Sequence, residues 1–114
     1  MLIQRGEIIL VNLDPVKGSE QGKIRPALII QNDSGNQNNP MTIVAPITSK
    51  IYTKEFPTNV EILQNEGGLE ENSTILLNQI RAIDKIRIIK KLKKITQETM
   101  TKVDLAIKAS LGLN

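Results

Sequence analysis

Short runs of aliphatic and β-branched residues, each cut off by a cluster of turn formers, fill most of this chain, and one helical pattern closes it. No other feature constrains the fold as strongly. Residues 7–13 (EIILVNL) predict a strand that Asp14-Pro15 ends. Residues 24–31 (IRPALIIQ) predict a second strand, with Pro26 at an edge or near the start. Residues 41–47 predict a third and residues 58–63 a fourth, followed by a turn at Gly67-Gly68. From Ser73 to Ile83 the pattern reads as two short strands, STILL and QIRAI, separated by Asn78. Residues 86–95 alternate loosely, whereas residues 33–40 (DSGNQNNP) read as a polar loop. Thr96 is an expected helix N-cap, and Met100, Val103, Ala106, Ile107 and Leu111 follow at helical spacing. The expected fold is mostly β, a small curled antiparallel sheet with a C-terminal helix packed on it.

Only Tyr52 and Phe56 are aromatic, so the core must be built from Ile, Leu, Val and Ala. At 114 residues the chain fits one domain over 1–114 with a modest core, which dimerisation would extend. Cys and His are both absent. Their absence removes disulfides, thiol nucleophiles, the usual zinc ligands and a histidine base. No metal or other cofactor is expected. Arg5 interrupts the start where a signal peptide would need an apolar core, and no run reaches membrane-spanning length. The expectation is a soluble cytoplasmic protein with no membrane partner.

The net charge of +3 is compatible with a polyanionic partner without proving one. Its distribution is uneven. Lys85, Arg87, Lys90, Lys91, Lys93 and Lys94 follow one another with no acid among them, while Glu66, Glu70 and Glu71 gather in a loop. A lysine-rich strand edge blunted against aggregation is the default reading of Lys90–Lys94. The most informative stretch is PVKGSEQGKIRP, residues 15–26. Gly18 and Gly22 bracket Ser19, Glu20 and Gln21, and Lys17, Lys23 and Arg25 surround the turn with positive charge. Such a loop suits a phosphate, with Ser19 and Gln21 able to read base edges. It reads equally as a solvated hairpin loop. Arg25 lies at a loop–strand junction, where a guanidinium can grip a phosphate in bidentate fashion, or can simply pair with Glu20. Thr48, Ser49 and Lys50 leave the third strand as phosphate donors or as a plain polar turn.

Taken together, RGEIILVNLDPVKGSEQGKIRPALIIQND, VAPITSK, FPTNVEI, ILLNQIRAIDK and the closing helix resemble the MazF/PemK family of toxin endoribonucleases. The resemblance spans essentially the whole chain. It implies an SH3-like β-barrel with packed helices, assembled as a homodimer. It also implies sequence-specific cleavage of single-stranded RNA, mainly mRNA, and a cognate antitoxin whose tail wraps the dimer and blocks the RNA groove. The family's catalytic pair falls on Arg25 and Thr48. Its substrate loop falls on Ser19, Glu20, Gln21 and Gly22, and its QIR motif on Gln79, Ile80 and Arg81.

The chemistry is consistent with these residue types. RNA carries its own nucleophile, the 2′-hydroxyl, and cleavage by that route leaves a 2′,3′-cyclic phosphate and a 5′-hydroxyl. What the protein must supply is alignment, charge stabilisation and proton transfer. Arg25 suits the charge and Thr48 can donate to a non-bridging oxygen, while Glu20 is the available carboxylate for a base or for orienting Arg25. Lys17, Lys23, Ser49, Lys50 and Arg81, with Arg87 a further candidate, complete the expected RNA contacts beside Ser19, Gln21, Gly22 and Gln79. Two other readings stay open: a gyrase-poisoning toxin of the same fold, and an RNA-binding barrel without activity.

Overall fold

The computed structural model of the chain describes residues 1–114. In chain order the elements are β1 (Glu7–Asn12), β2 (Ile24–Ile29), α1 (Asp33–Asn38), β3 (Met41–Thr48), β4 (Asn59–Ile62), β5 (Ser73–Leu76), β6 (Arg81–Asp84), β7 (Ile88–Lys94) and α2 (Gln97–Leu111). Seven strands form one antiparallel sheet in the order β4-β5-β3-β2-β1-β7, with β6 attached to β3. Strand β3 is the hub. Val44–Pro46 pair with β2 along one edge, while Met41–Val44 pair with β6 and Ile47–Thr48 with β5 along the other. Pro26 is in register with Leu10, and the β2–β3 pairing stops at Ala27, so the missing N–H falls where β2 has no second neighbour.

The middles of the central strands are buried on both faces, which is why they carry unbroken apolar runs such as Ile8–Val11 and Pro26–Ile30. In β1, Ile8 enters the larger core while Ile9 and Val11 enter a smaller one; in β2, Leu28 opposes Ala27 and Ile29 in the same way. A one-residue slip would exchange both sets, so the register is firmly specified. Helix α2 packs Met100, Val103 and Ala106 into the larger core. No helix is long and apolar enough to cross a membrane. The helix starts as expected, Thr96 accepting from the Thr99 N–H at 3.2 Å, with Glu98 in the first turn.

Two sequence expectations change. Residues 33–40 are not a plain loop, because Asp33–Asn38 form a short helix. Asn32 caps it by accepting from the Gly35 N–H at 2.8 Å, and the helix carries its own buried polar anchor. Asn36 donates to the Gln31 carbonyl at 3.0 Å and accepts from the Thr42 hydroxyl at 2.8 Å. This helix is held by hydrogen bonds rather than an apolar face, so hydrophobic periodicity could not announce it. The second change is at the expected QIRAI strand: Leu77–Gln79 form a 3-10 turn, and the strand starts only at Arg81.

Arg5 fastens the ends of the chain together. Its backbone N–H donates to Asp33 Oδ1 at 2.7 Å, its Nε to the Ile30 carbonyl at 2.8 Å, and Nη2 pairs with Asp104 of α2 at 2.7 Å. The backbone N–H of Arg5, and then the Asn36 side chain, hold the Asp33 carboxyl below its ordinary value of 3.8. A lowered native pKa means that the stabilisation is complete above 3.8 and is lost as the pH falls through the lowered value. Asp33→Asn is therefore expected to lower Tm at neutral pH, with the gap to wild type closing in acid below the ordinary carboxylate range, as read by circular dichroism melts.

At Gly67 the backbone has φ +66, and a Cβ would meet Ile8 Cδ1 at 2.3 Å. Gly18 is also left-handed, at φ +55, but has nothing within 4 Å. Gly67→Ala is expected to cost about 2–4 kcal/mol in urea denaturation, and Gly18→Ala only about 1 kcal/mol. Equal losses would show that the Ile8 contact plays no part.

Candidate active site

The β1–β2 connection folds back on itself. The Leu13 N–H donates to the Lys23 carbonyl at 2.9 Å and the Lys23 N–H to Asp14 Oδ1 at 2.8 Å, with Lys23 left-handed at φ 63. The Lys17 N–H donates to Glu20 Oε1 at 2.8 Å, and the Glu20 N–H returns to the Lys17 carbonyl at 3.1 Å. Two arginines brace the base of this loop from the other end of the sheet. Arg81 Nη1 donates to the Leu13 carbonyl at 2.9 Å, and Arg87 Nη1 to the carbonyls of Asn12 and Asp14. The tip is held by Gln79, whose Oε1 accepts from the Gln21 N–H at 2.8 Å. The substrate-loop and QIR motifs therefore meet in space. At Gly22 a Cβ would lie 2.5 Å from Val16 Cγ2 and 2.6 Å from Asp14 Oδ1, so the close turn excludes any larger residue.

Arg25 and Thr48 come together through strand register. Ala27–Pro46 is the last β2–β3 pair, and Arg25 and Thr48 each lie two residues beyond it, Arg25 paired with Val11 of β1 and Thr48 with Thr74 of β5. Both line a groove of about 460 Å³, together with Ser49. Arg25 Nε donates to the Gly22 carbonyl at 2.8 Å, which fixes the guanidinium plane and leaves its two terminal nitrogens for an anion. Thr48 Oγ1 accepts from the Lys50 N–H at 3.2 Å, so its own proton is available for donation. A neighbouring groove of about 600 Å³ collects Ser19, Glu20, Gln21, Gln79 and Arg81, with Pro46 as its link to the Arg25 side.

Not every expected residue lines these grooves. Lys17 and Lys23 are exposed and line neither, and Gly22 contributes its carbonyl and its compactness. Lys50 turns away, its Nζ lying 4.7 Å from the centre of the Tyr52 ring. Glu20 and Arg25 form no ion pair; the chain's ion pairs are Arg5–Asp104 and Lys91–Glu7. Conversely, Lys90, Glu70 and Glu71 line the Arg25 groove. Lys90 had no signal that separated it from its neighbours, because only the pairing of β7 with β1, which sets it beside Leu10, shows where each lysine lies. Lys91 behaves as the edge reading expects, pairing with Glu7 at 3.3 Å.

The family model described as "PemK-like, MazF-like toxin of type II toxin-antitoxin system" matches residues 4–111. The fold is similar to that of MazF from Deinococcus radiodurans, with TM-score 0.84 and 23% identity over 99% of each chain. An endoribonuclease from Mycobacterial species gives TM-score 0.81 and 21% identity over 99% of this chain and 94% of the other. A further Mycobacterial endoribonuclease, in complex with its cognate antitoxin, gives 0.78 and 21% over 99% and 96%. At these identities the structural likeness establishes the fold.

Gln79→Ala removes the only side-chain acceptor of the Gln21 N–H. Hydrogen exchange at Gln21 is expected to speed up roughly fivefold, the worth of about 1 kcal/mol, while global stability changes little. Unchanged exchange would show that the loop tip is held by other means.

Proposed function

Because the chain belongs to the PemK-like, MazF-like family of type II toxins, we propose that it is the RNA-cleaving toxin of a toxin–antitoxin pair. It cuts single-stranded RNA, mainly mRNA, at a preferred sequence and without a metal. The observation that supports this reading is that Arg25 and Thr48 line one open groove. With neither His nor Cys in the chain, the nucleophile falls to the RNA itself. Its 2′-hydroxyl attacks the adjacent phosphorus, the P–O5′ bond breaks, and the products are a 2′,3′-cyclic phosphate and a 5′-hydroxyl end.

Arg25 meets the charge that grows on the phosphorane oxygens with its terminal nitrogens, and Thr48 donates its hydroxyl proton to one of them. A guanidinium has donors and no acceptor, so Arg25 suits the acid role and gives the departing 5′-oxygen its proton. Glu20 takes the 2′-hydroxyl proton in this reading, from its place in the neighbouring groove. Ser19, Gln21 and Gln79 read base edges there, and Ser49 and Arg81 contact the backbone. Lys17, Lys23 and Lys50 contribute to the positive field that draws RNA in. The partners in this reading are a second copy of the chain and a cognate antitoxin. Exposed Ile86 and Ile89, just before and within β7, leave apolar surface that a second copy would cover.

The test is incubation of the purified protein with a mixed RNA pool in EDTA, followed by mapping of the cut ends. Cleavage leaving 5′-hydroxyl ends at a recurrent sequence is expected; intact RNA would overturn the reading. Arg25→Ala is expected to slow cleavage by about 100- to 1,000-fold. Glu20→Gln is expected to slow it as well, and an unchanged rate would pass the base role to Glu70 or Glu71.

A further inference from the structure

The chain's two aromatic rings are both missing from its core. Every buried hydrophobic side chain is aliphatic or Met, whereas Tyr52 is half-buried and Phe56 is 44% exposed. They meet each other edge to face, with ring centres 5.8 Å apart and planes at 84°. Both line a groove of about 480 Å³ that is separate from the two described above and also holds Lys54, Asn59 and Glu61. Strand β4 buries Val60 and turns Asn59 and Glu61 outward, so they form a polar floor. The loop that carries the rings is tethered at its root. Thr74 Oγ1 donates to the Lys50 carbonyl at 2.8 Å, and the Lys50 N–H donates to Thr48 Oγ1 at 3.2 Å.

We propose that Tyr52 and Phe56 form a stacking subsite for one unpaired base of the RNA, next to the nucleotides at the cleavage centre. The inference rests on the nuclease reading above. Tyr52 is four residues from Thr48, so at most about 14 Å of chain separates them, within reach of a neighbouring nucleotide. An edge-to-face pair at a surface groove gives a flat base a ring face to stack on and a second ring to abut. The Lys50 ammonium lies over one face of the Tyr52 ring, 4.7 Å from its centre, so a base that stacks on that face displaces it, and the freed ammonium can turn to the nucleotide's phosphate. Asn59 and Glu61 present acceptors to the base edge, which favours bases carrying amino or imino N–H groups. A peptide could also use an aromatic pair, and Glu55 and Glu61 in the groove balance Lys50 and Lys54, so it is the continuity with Thr48 that favours RNA.

Tyr52 is the only tyrosine, and there is no tryptophan, so its fluorescence reports on this groove alone. Once the cut site is mapped, a 2′-deoxy substitution at that nucleotide gives an RNA that binds and resists cleavage. Saturating wild-type protein with it is expected to shorten the Tyr52 fluorescence lifetime, and an abasic residue at the stacked position is expected to restore it. Tyr52→Ala and Phe56→Ala are expected to raise KM roughly 5- to 50-fold on a long substrate, with kcat within about twofold. On an RNA trimmed of the flanking nucleotides they change nothing, and Tyr52→Phe behaves as wild type. Cleavage by wild type without any change in lifetime, or equal KM effects on long and trimmed RNA, overturns the subsite and leaves the nuclease reading standing. RNA that binds and quenches Tyr52 but stays intact overturns the nuclease reading and leaves the subsite standing. No RNA binding overturns both.

Discussion

Strand β3 is hydrogen-bonded along both edges, to β2 on one side and to β6 and then β5 on the other. A strand so placed has no freedom to slide, because a shift of one residue would break several ladders and exchange two buried faces at once. The candidate site inherits that rigidity. Thr48 is the last residue of the strand, and the Arg25 backbone is paired with Val11 of β1, while its guanidinium takes its orientation from the Gly22 carbonyl of the loop before β2. Loops enter only at the substrate side, and there the backbone is tied down by Gln79, Arg81 and Arg87.

The strands were legible because burial on two faces leaves an unmistakable mark. Ile8–Val11 and Pro26–Ile30 are unbroken apolar runs, and the alternation of Ile8 against Ile9, or Leu28 against Ile29, appears only once both cores are seen. Helix α2 was legible from its cap and its 3.6-residue spacing. Helix α1 was not, because its six residues DSGNQN carry no apolar face and its stability comes from the buried amide of Asn36. Local sequence records what a residue prefers. It does not record which distant polar group will satisfy it.

The same division runs through the site. Arg25, Thr48 and the Gly-bracketed turn were identifiable as motif residues, because each combines a charge or hydroxyl with a position at the end of a strand. Their partners were not identifiable. That Gln79 would receive the Gln21 N–H, or that Lys90 rather than Lys91 would line the Arg25 groove, depends on pairings between segments more than fifty residues apart. The alternative in which Arg25 pairs with Glu20 is not realised, for the converse reason. Glu20 satisfies the nearest backbone donor, Lys17, within its own turn. Short-range hydrogen bonding prevailed over a longer-range attraction that water would weaken.

The pairing of β1 with β7, and the Arg5–Asp104 clasp beyond it, bear on how the molecule comes into being. The first strand made by the ribosome waits for one of the last before its second edge is covered, and the larger core waits for α2. Contacts of such long sequence range tend to slow folding and place its completion at the end of synthesis. Arg25 and Thr48 are then brought into final register only when nearly the whole chain is available. A nascent fragment ending before the helix would carry every residue of the candidate site without the frame that aligns them.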